Sequence, residues 1–259
     1  LFFIFIEKYH DSWDKPTMNQ KNVMFSSNGF TLNGTLHLPA APNPPVVIGS
    51  HGLFSSGSSP KQIALAGQCN KFGIAFFRFD HRGCGKSDGI FQDVTSLEAR
   101  CNDMTSAIKT IQNRKDTGSR IGLFGSSMGG AVCLSVFSAS HACSIVICAT
   151  PVRGSTIIKE LEKSDHSNPR TPTFNKRYLD SDISDKLSST HHILIFHGDS
   201  DDLVPPSNAQ EIYEKAGDPK KLIVQKHGDH RMSNKTHQEN FVRESALWFK
   251  NCFDGTISS

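Results

Sequence analysis

The sequence predicts an α/β fold, a mostly parallel eight-stranded sheet with helices on both faces. Three observations predict it. Strand-like and helix-like segments alternate from residue 23 onward, the rhythm of a layered α/β domain. The middle strand candidates contain VVIG, IAFFRF, IVIC and ILIF, which are near-continuous apolar runs. Such runs suit strands covered on both faces. The best helix candidate, Ser96–Asn113, carries Leu97, Cys101, Met104, Ile108 and Ile111 as one apolar stripe, a face suited to packing on a sheet.

Taken in order, the strand candidates are Val23–Ser26, Thr31–Leu38, Val46–Ser50, Ile74–Phe79, Arg120–Phe124, Ser144–Cys148, His192–Phe196 and Lys221–Gln225. Helices are expected at about 60–71, 96–113, 128–139, 207–216 and 236–250. Residues 151 to about 190 break the rhythm: they are polar, contain Pro151, Pro169 and Pro172, and have no strong period. Ordinary connections in α/β domains take about two to six residues, so this stretch is read as an inserted lid. Its apolar clusters include Phe174, Tyr178 and Leu179, which either line a pocket or anchor the lid. The rest of 18–259 is read as one domain. Residues 1–17 form an extension with no assigned role, since patterned sequence begins just after Met18. The apolar run Leu1–Ile6 is far shorter than the roughly 20 residues of a membrane span, and no signal-peptide pattern surrounds it.

Composition narrows the function. The chain has 259 residues, 37 % of them hydrophobic and 20 % charged, which argues against disorder. The net charge of +3 is not gathered into any basic stripe, so nucleic acid is not expected as a partner. The seven cysteines form no CxxC pair, and a reducing, cytoplasmic setting is the simplest reading. No HExxH or clustered-cysteine pattern is present, so neither a metal nor another cofactor is expected. Gly85, Lys86 and Ser87 imitate the end of a phosphate-binding loop, but Asp80 stands where that motif needs glycine.

The chemistry gathers at strand ends. Arg120–Phe124 runs into Gly125-Ser126-Ser127-Met128-Gly129 and then an apolar helix. A GxSxG in that context is a tight strand-to-helix turn that exposes the central serine, with the next backbone N–H, that of Met128, available to an oxyanion. A serine hydroxyl needs a base, and the base needs an orienting acid. Two later strands lead into HGDSDDLVP and KHGDHRM. They offer Asp199, Asp201 and Asp202 as acids and His227 and His230 as bases, giving the chain order Ser, Asp, His.

With SHGLFSSG after the third strand, FDHRGCGKSDG after the fourth, and GSSMGG, HGDSDDLVP and GDHRM beyond, the chain resembles the α/β-hydrolase superfamily. It is most similar to the serine-aminopeptidase-like and carboxylesterase group, which includes small-lid feruloyl esterases and monoacylglycerol lipases. The resemblance spans about residues 20–250. It implies the α/β-hydrolase fold and a triad of Ser127, Asp201 (four residues before Pro205) and His230. It also implies an oxyanion hole from the backbone N–H groups of Leu53 and Met128, with His51 bracing the loop. The DxRGxGxS segment from Asp80 to Ser87 is then a hydrogen-bonded turn. The expected reaction is hydrolysis of a small-molecule carboxylic ester through an acyl-enzyme. Thioester, amide or aminopeptide, acyl-transfer and C–C bond chemistry are alternatives on the same triad, and a non-catalytic binding role is the further one.

Overall fold

The eight apolar segments pair edge to edge into one open sheet. The computed structural model describes residues 19–158 and 180–257. The strands are β1 (Asn19–Ser27), β2 (Phe30–Leu38), β3 (Val46–Ser50), β4 (Ala75–Phe79), β5 (Ile121–Ser126), β6 (Ser144–Cys148), β7 (Ile193–Gly198) and β8 (Lys220–Gln225). Their order is β1-β2-β4-β3-β5-β6-β7-β8. From β3 to β8 every pairing is parallel, and β2 runs antiparallel to both β1 and β4. β1 and β2 join through Asn28 and Gly29, both at positive φ (47° and 86°), the two-residue turn whose twist suits a hairpin.

The helices are α1 (Pro60–Lys71), α2 (Phe91–Val94), α3 (Leu97–Gln112), α4 (Met128–Ser140), α5 (Ser207–Lys215) and α6 (Lys235–Asp254). Alternation along the strands sends successive side chains to opposite faces. Val46, Ile48, Leu123, Ile145 and Ile147 pack with Met104, Ile108, Val132 and Phe137 of α3 and α4. Val47, Phe76, Phe124, Val146 and Phe196 pack on the other face with Leu65 and Cys69 of α1 and Phe241 and Phe249 of α6. Side chains cap three helices at their starts: Ser59 for α1, Ser96 for α3 and Asn234 for α6. α6 runs four residues beyond its expected end, because Phe249 and Phe253 stay buried and only Gly255 turns left-handed (φ 71°). The short α2 carries no sequence signature: its N-cap, Ile90, makes no side-chain cap.

Strand order reverses direction at β3 and β5. β3 is followed by a strand placed on one side of it, and β5 by strands placed on the other. Loops leaving the carboxyl ends of β3 and β5 therefore diverge and leave a crevice, the usual ligand position in open α/β sheets.

Of the expected lid, 151–158 and 180–190 are described. Residues 154–158 are helical, Arg153 and Asp182 form an isolated antiparallel bridge, and a 3₁₀ turn at Leu187–Ser189 leads back to β7. Phe174, Tyr178 and Leu179 lie outside the described residues, as does the extension 1–17. Among the described residues no helix is long and apolar enough to cross a membrane.

Candidate active site

The crevice begins with the turn between β5 and α4. Ser127 occupies the N-cap of α4 at φ 53°, ψ −125°, a conformation costly for a residue with a Cβ. The two flanking glycines make the turn possible. A Cβ on Gly125 would run into the Gly129 carbonyl, and one on Gly129 would run into the Ser50 carbonyl. The Ser127 N–H donates to the Cys148 carbonyl at 2.8 Å. Ser59 and Ser96 spend their hydroxyls on capping, whereas Ser127 makes no side-chain cap. Its hydroxyl stands at a helix N-terminus, where free N–H groups favour developing negative charge.

The acid and base loops meet at the same sheet edge. His230 Nδ1 lies 2.9 Å from Asp201 Oδ2 and 3.1 Å from Oδ1. Asp201 is buried and fully engaged. Its Oδ1 also accepts the Leu203 and Val204 N–H groups at 3.0 and 2.8 Å, and His197 Nε2 stands 3.3 Å from Oδ2. Burial alone would raise the Asp201 pKa, but the hydrogen bonds from His197 and His230 outweigh it and hold the carboxyl well below the usual range. With Nδ1 turned to the carboxylate, Nε2 is the His230 ring nitrogen that Asp201 leaves unengaged.

The competing groups stand elsewhere. Asp199 is exposed and closes its own loop, accepting the His227 N–H at 2.6 Å and the Ser200 hydroxyl at 2.9 Å. Asp202 and His227 are exposed. The structure thus brings Asp201 and His230 together. Among the described residues no hydrogen bond joins Ser127 Oγ to His230, a contact that is commonly long before substrate binds.

Across the crevice lies the loop after β3. An added Cβ on Gly52 would sit 3.6 Å from the Ser127 Cβ, so this loop abuts the serine turn. Among the described residues neither the Leu53 nor the Met128 N–H donates to another group. His51 braces the loop: its Nε2 accepts the His81 N–H at 3.1 Å, and its Nδ1 donates to the Gly52 carbonyl at 2.8 Å. Burial, then the charges of Arg100 and His81, hold its pKa well below the ordinary imidazole value, so the ring is a neutral strut. The DxRGxGxS segment is a hydrogen-bonded turn. Asp80 accepts the Gly57 and Lys86 N–H groups at 2.7 and 2.9 Å, and Ser87 Oγ donates to the Asp80 carbonyl at 2.6 Å.

Beneath both loops runs a buried polar layer that the apolar stripe of α3 conceals. Arg82 grips Asp103 through its Nε and one terminal nitrogen at 2.9 and 2.7 Å. His81 bridges Asp103 at 3.4 Å and Ser50 Oγ at 2.8 Å. Arg100 reaches the carbonyls of the β3 loop. The buried face of α3 is Arg100, Asp103, Met104, Ala107, Ile108 and Ile111, while Leu97 and Cys101 are only partly buried. The signal was present as a run of three- and four-residue steps that includes two charges.

Residues 41–174, just over half of the chain, match the family Hydrolase_4 (Serine aminopeptidase, S33). The chain belongs to that family. Within the Serine aminopeptidase S33 family the match takes in the β3 loop and the Ser127 turn and ends before the acid and base loops. The chain is accordingly a hydrolase of the α/β-hydrolase superfamily. It is 28 % identical over 215 residues to the uncharacterised protein YfhR of Salmonella typhi, covering 78 % of this chain and 70 % of that protein. It is 27 % identical over 250 residues to the mitochondrial palmitoyl-protein thioesterase ABHD10 of Mus musculus, covering 86 % and 82 %. Among solved structures, the Pyrococcus furiosus esterase PF2001 superposes with a TM-score of 0.80 at 20 % identity, covering 92 % of each chain. Est1E of Butyrivibrio proteoclasticus with bound ferulic acid gives 0.77 at 19 %, covering 90 % of this chain and 99 % of that one. At these identities the structural likeness is one of fold.

Proposed function

We propose that this chain is a serine hydrolase that cleaves carboxylic esters of small molecules by two acyl transfers. The observation that carries the reading is Ser127, held at positive φ on a helix N-terminus with an uncapped hydroxyl, at the sheet edge where Asp201 grips His230. Ser127 Oγ adds to the ester carbonyl while His230 Nε2 takes its proton. The resulting oxyanion lies against the N–H groups of Leu53 and Met128. Collapse expels the alcohol, which leaves with the proton from His230. Water, deprotonated by the same nitrogen, then attacks the acyl-enzyme and frees the acid and Ser127. Asp201 fixes the imidazole tautomer and stabilises the imidazolium.

The pocket wall suits an apolar acyl group. Leu53, Met128 and Ile157 form one buried cluster, flanked by Phe91, Leu97 and Ile158. The insertion at about 151–190, read from the sequence as a lid, would help shape the acyl or alcohol pocket on this reading. A thioester substrate is the second reading, favoured by the similarity to a palmitoyl-protein thioesterase. All seven cysteines are free, which supports a reducing compartment, cytoplasmic on this reading.

The test is a panel of p-nitrophenyl esters of increasing acyl length, hydroxycinnamate esters, acyl thioesters and aminoacyl amides, run beside Ser127→Ala. Ester turnover by the parent, abolished in the variant, is expected. Preference for thioesters over matched esters selects the second reading. Parental ester turnover by the alanine variant contradicts both.

A further inference from the structure

Among the described residues Arg100 is the largest completely enclosed side chain, and it is charged. Among the described residues no carboxylate bonds it, because Asp103, one turn further along α3, is committed to Arg82 and His81. Its partners are instead three consecutive backbone carbonyls of the loop after β3. One terminal nitrogen lies 3.3 Å from the oxygens of both His51 and Gly52, and the other donates to the Leu53 oxygen at 2.9 Å. That second nitrogen also lies 3.5 Å from Cys84 Sγ. A buried cation spent on three main-chain oxygens of one loop fixes the orientation of that loop's peptide planes.

Peptide planarity turns this hold into a statement about donors. In a trans peptide the C=O of one residue and the N–H of the next point in opposite directions. With the Gly52 carbonyl held inward by Arg100 and by His51 Nδ1, the Leu53 N–H must point outward. This loop abuts the serine turn: an added Gly52 Cβ would stand 3.4 Å from the Ser126 carbonyl and 3.6 Å from the Ser127 Cβ. The Leu53 N–H meets no acceptor among the described residues.

We propose that Arg100 is a positioning residue that presets the Leu53 N–H for the oxyanion by clamping the three carbonyls of residues 51–53. The inference rests on the serine-hydrolase reading above. Arg100 touches no substrate, and it acts only through the loop. A lysine at this position keeps the charge but cannot span three carbonyls, because its ammonium is a compact point donor whereas guanidinium is a planar fork. A glutamine loses the charge as well.

The experiment compares the parent, Arg100→Lys and Arg100→Gln for kcat and KM on a p-nitrophenyl ester. It also measures Ki for an aryl trifluoromethyl ketone, to whose carbonyl Ser127 Oγ adds to give a tetrahedral oxyanion. Thermal unfolding reports whether each variant is folded. Loss of a preset oxyanion donor costs about 10²–10³ in rate. Arg100→Lys is expected to lose roughly 30-fold or more in kcat, and Arg100→Gln more, with KM within about threefold and Ki weakened in parallel with kcat/KM. If one variant does not fold, the other decides. Arg100 variants with parental kcat and Ki in an active parent overturn the proposal and leave the hydrolase reading intact, as does a rise in KM alone. Failure of both variants to fold makes Arg100 a stabilising group and also overturns it. A folded parent that neither turns over esters nor binds the ketone overturns the hydrolase reading and this inference together.

Discussion

The two sides of the crevice are held by different forces. On the serine side, β5 is buried along five of its six residues and α4 along ten of thirteen. Ser127 is fixed by close packing, with glycines where backbone meets backbone. On the histidine side, β8 is an edge strand with a single fully buried residue, Gln225. There the loops are held by directed hydrogen bonds: Asp201 on His230, Asp199 on the His227 N–H, and Asp229 on Ser233. Packing supplies rigidity that resists any change of volume. Hydrogen bonds supply orientation, and removing one can spoil geometry while leaving the fold standing. A change of packing on the serine side should therefore show in stability, and a lost hydrogen bond on the histidine side in rate.

The largest expected effect needs no packing change. Ser127→Ala should cut ester turnover by about four to six orders of magnitude with an unchanged melting temperature, read by steady-state kinetics and calorimetry. Next, Asp201→Asn should lower kcat by about 10²–10⁴, whereas Asp199→Asn should stay within a fewfold of the parent. Equal activities of the two would erase the distinction between the orienting acid and the loop brace. On the packed side, Gly129→Ala should lower stability by about 3 kcal/mol, measured by denaturant unfolding, because its methyl meets the Ser50 and His51 carbonyls. An unperturbed midpoint would show that the serine turn is not packing-limited.

The smallest effect concerns two buried histidines, His81 of the polar layer and His37 on β2, which accepts from Arg78 Nε at 2.8 Å. Burial pushes the pKa of His81 down to about 4, and burial with the nearby Arg78 charge does the same for His37. In the unfolded chain both take up protons near pH 6.5. The unfolded state therefore binds more protons between about pH 6.5 and 4, and stability falls as pH is lowered through that window. His37→Gln should flatten part of that slope in urea melts taken across the window.

Much of this arrangement was legible in the chain. The apolar runs of β3 to β7 and the stripe of α3 placed the sheet and its helices, since burial on both faces leaves little choice of residue. The Ser127 turn was legible because it demands glycine on both sides; among Asp199, Asp201 and Asp202 the choice of Asp201 came only from the family resemblance, which puts the acid four residues before Pro205. The antiparallel pairing of β1 with β2 was not read from the chain: it turns on Asn28-Gly29, a two-residue cue between two alternating segments. Arg100 was hidden for a physical reason. A charge on a helix is normally read as solvated, and only the backbone carbonyls of a loop about fifty residues earlier make its burial tolerable.

The most direct test of the central claim is covalent labelling of the folded protein with a fluorophosphonate, followed by peptide mapping. The account predicts one modified residue, Ser127, with labelling abolished in Ser127→Ala and slowed in Asp201→Asn. A folded parent that takes up no label, or takes it up on a different serine, would contradict it.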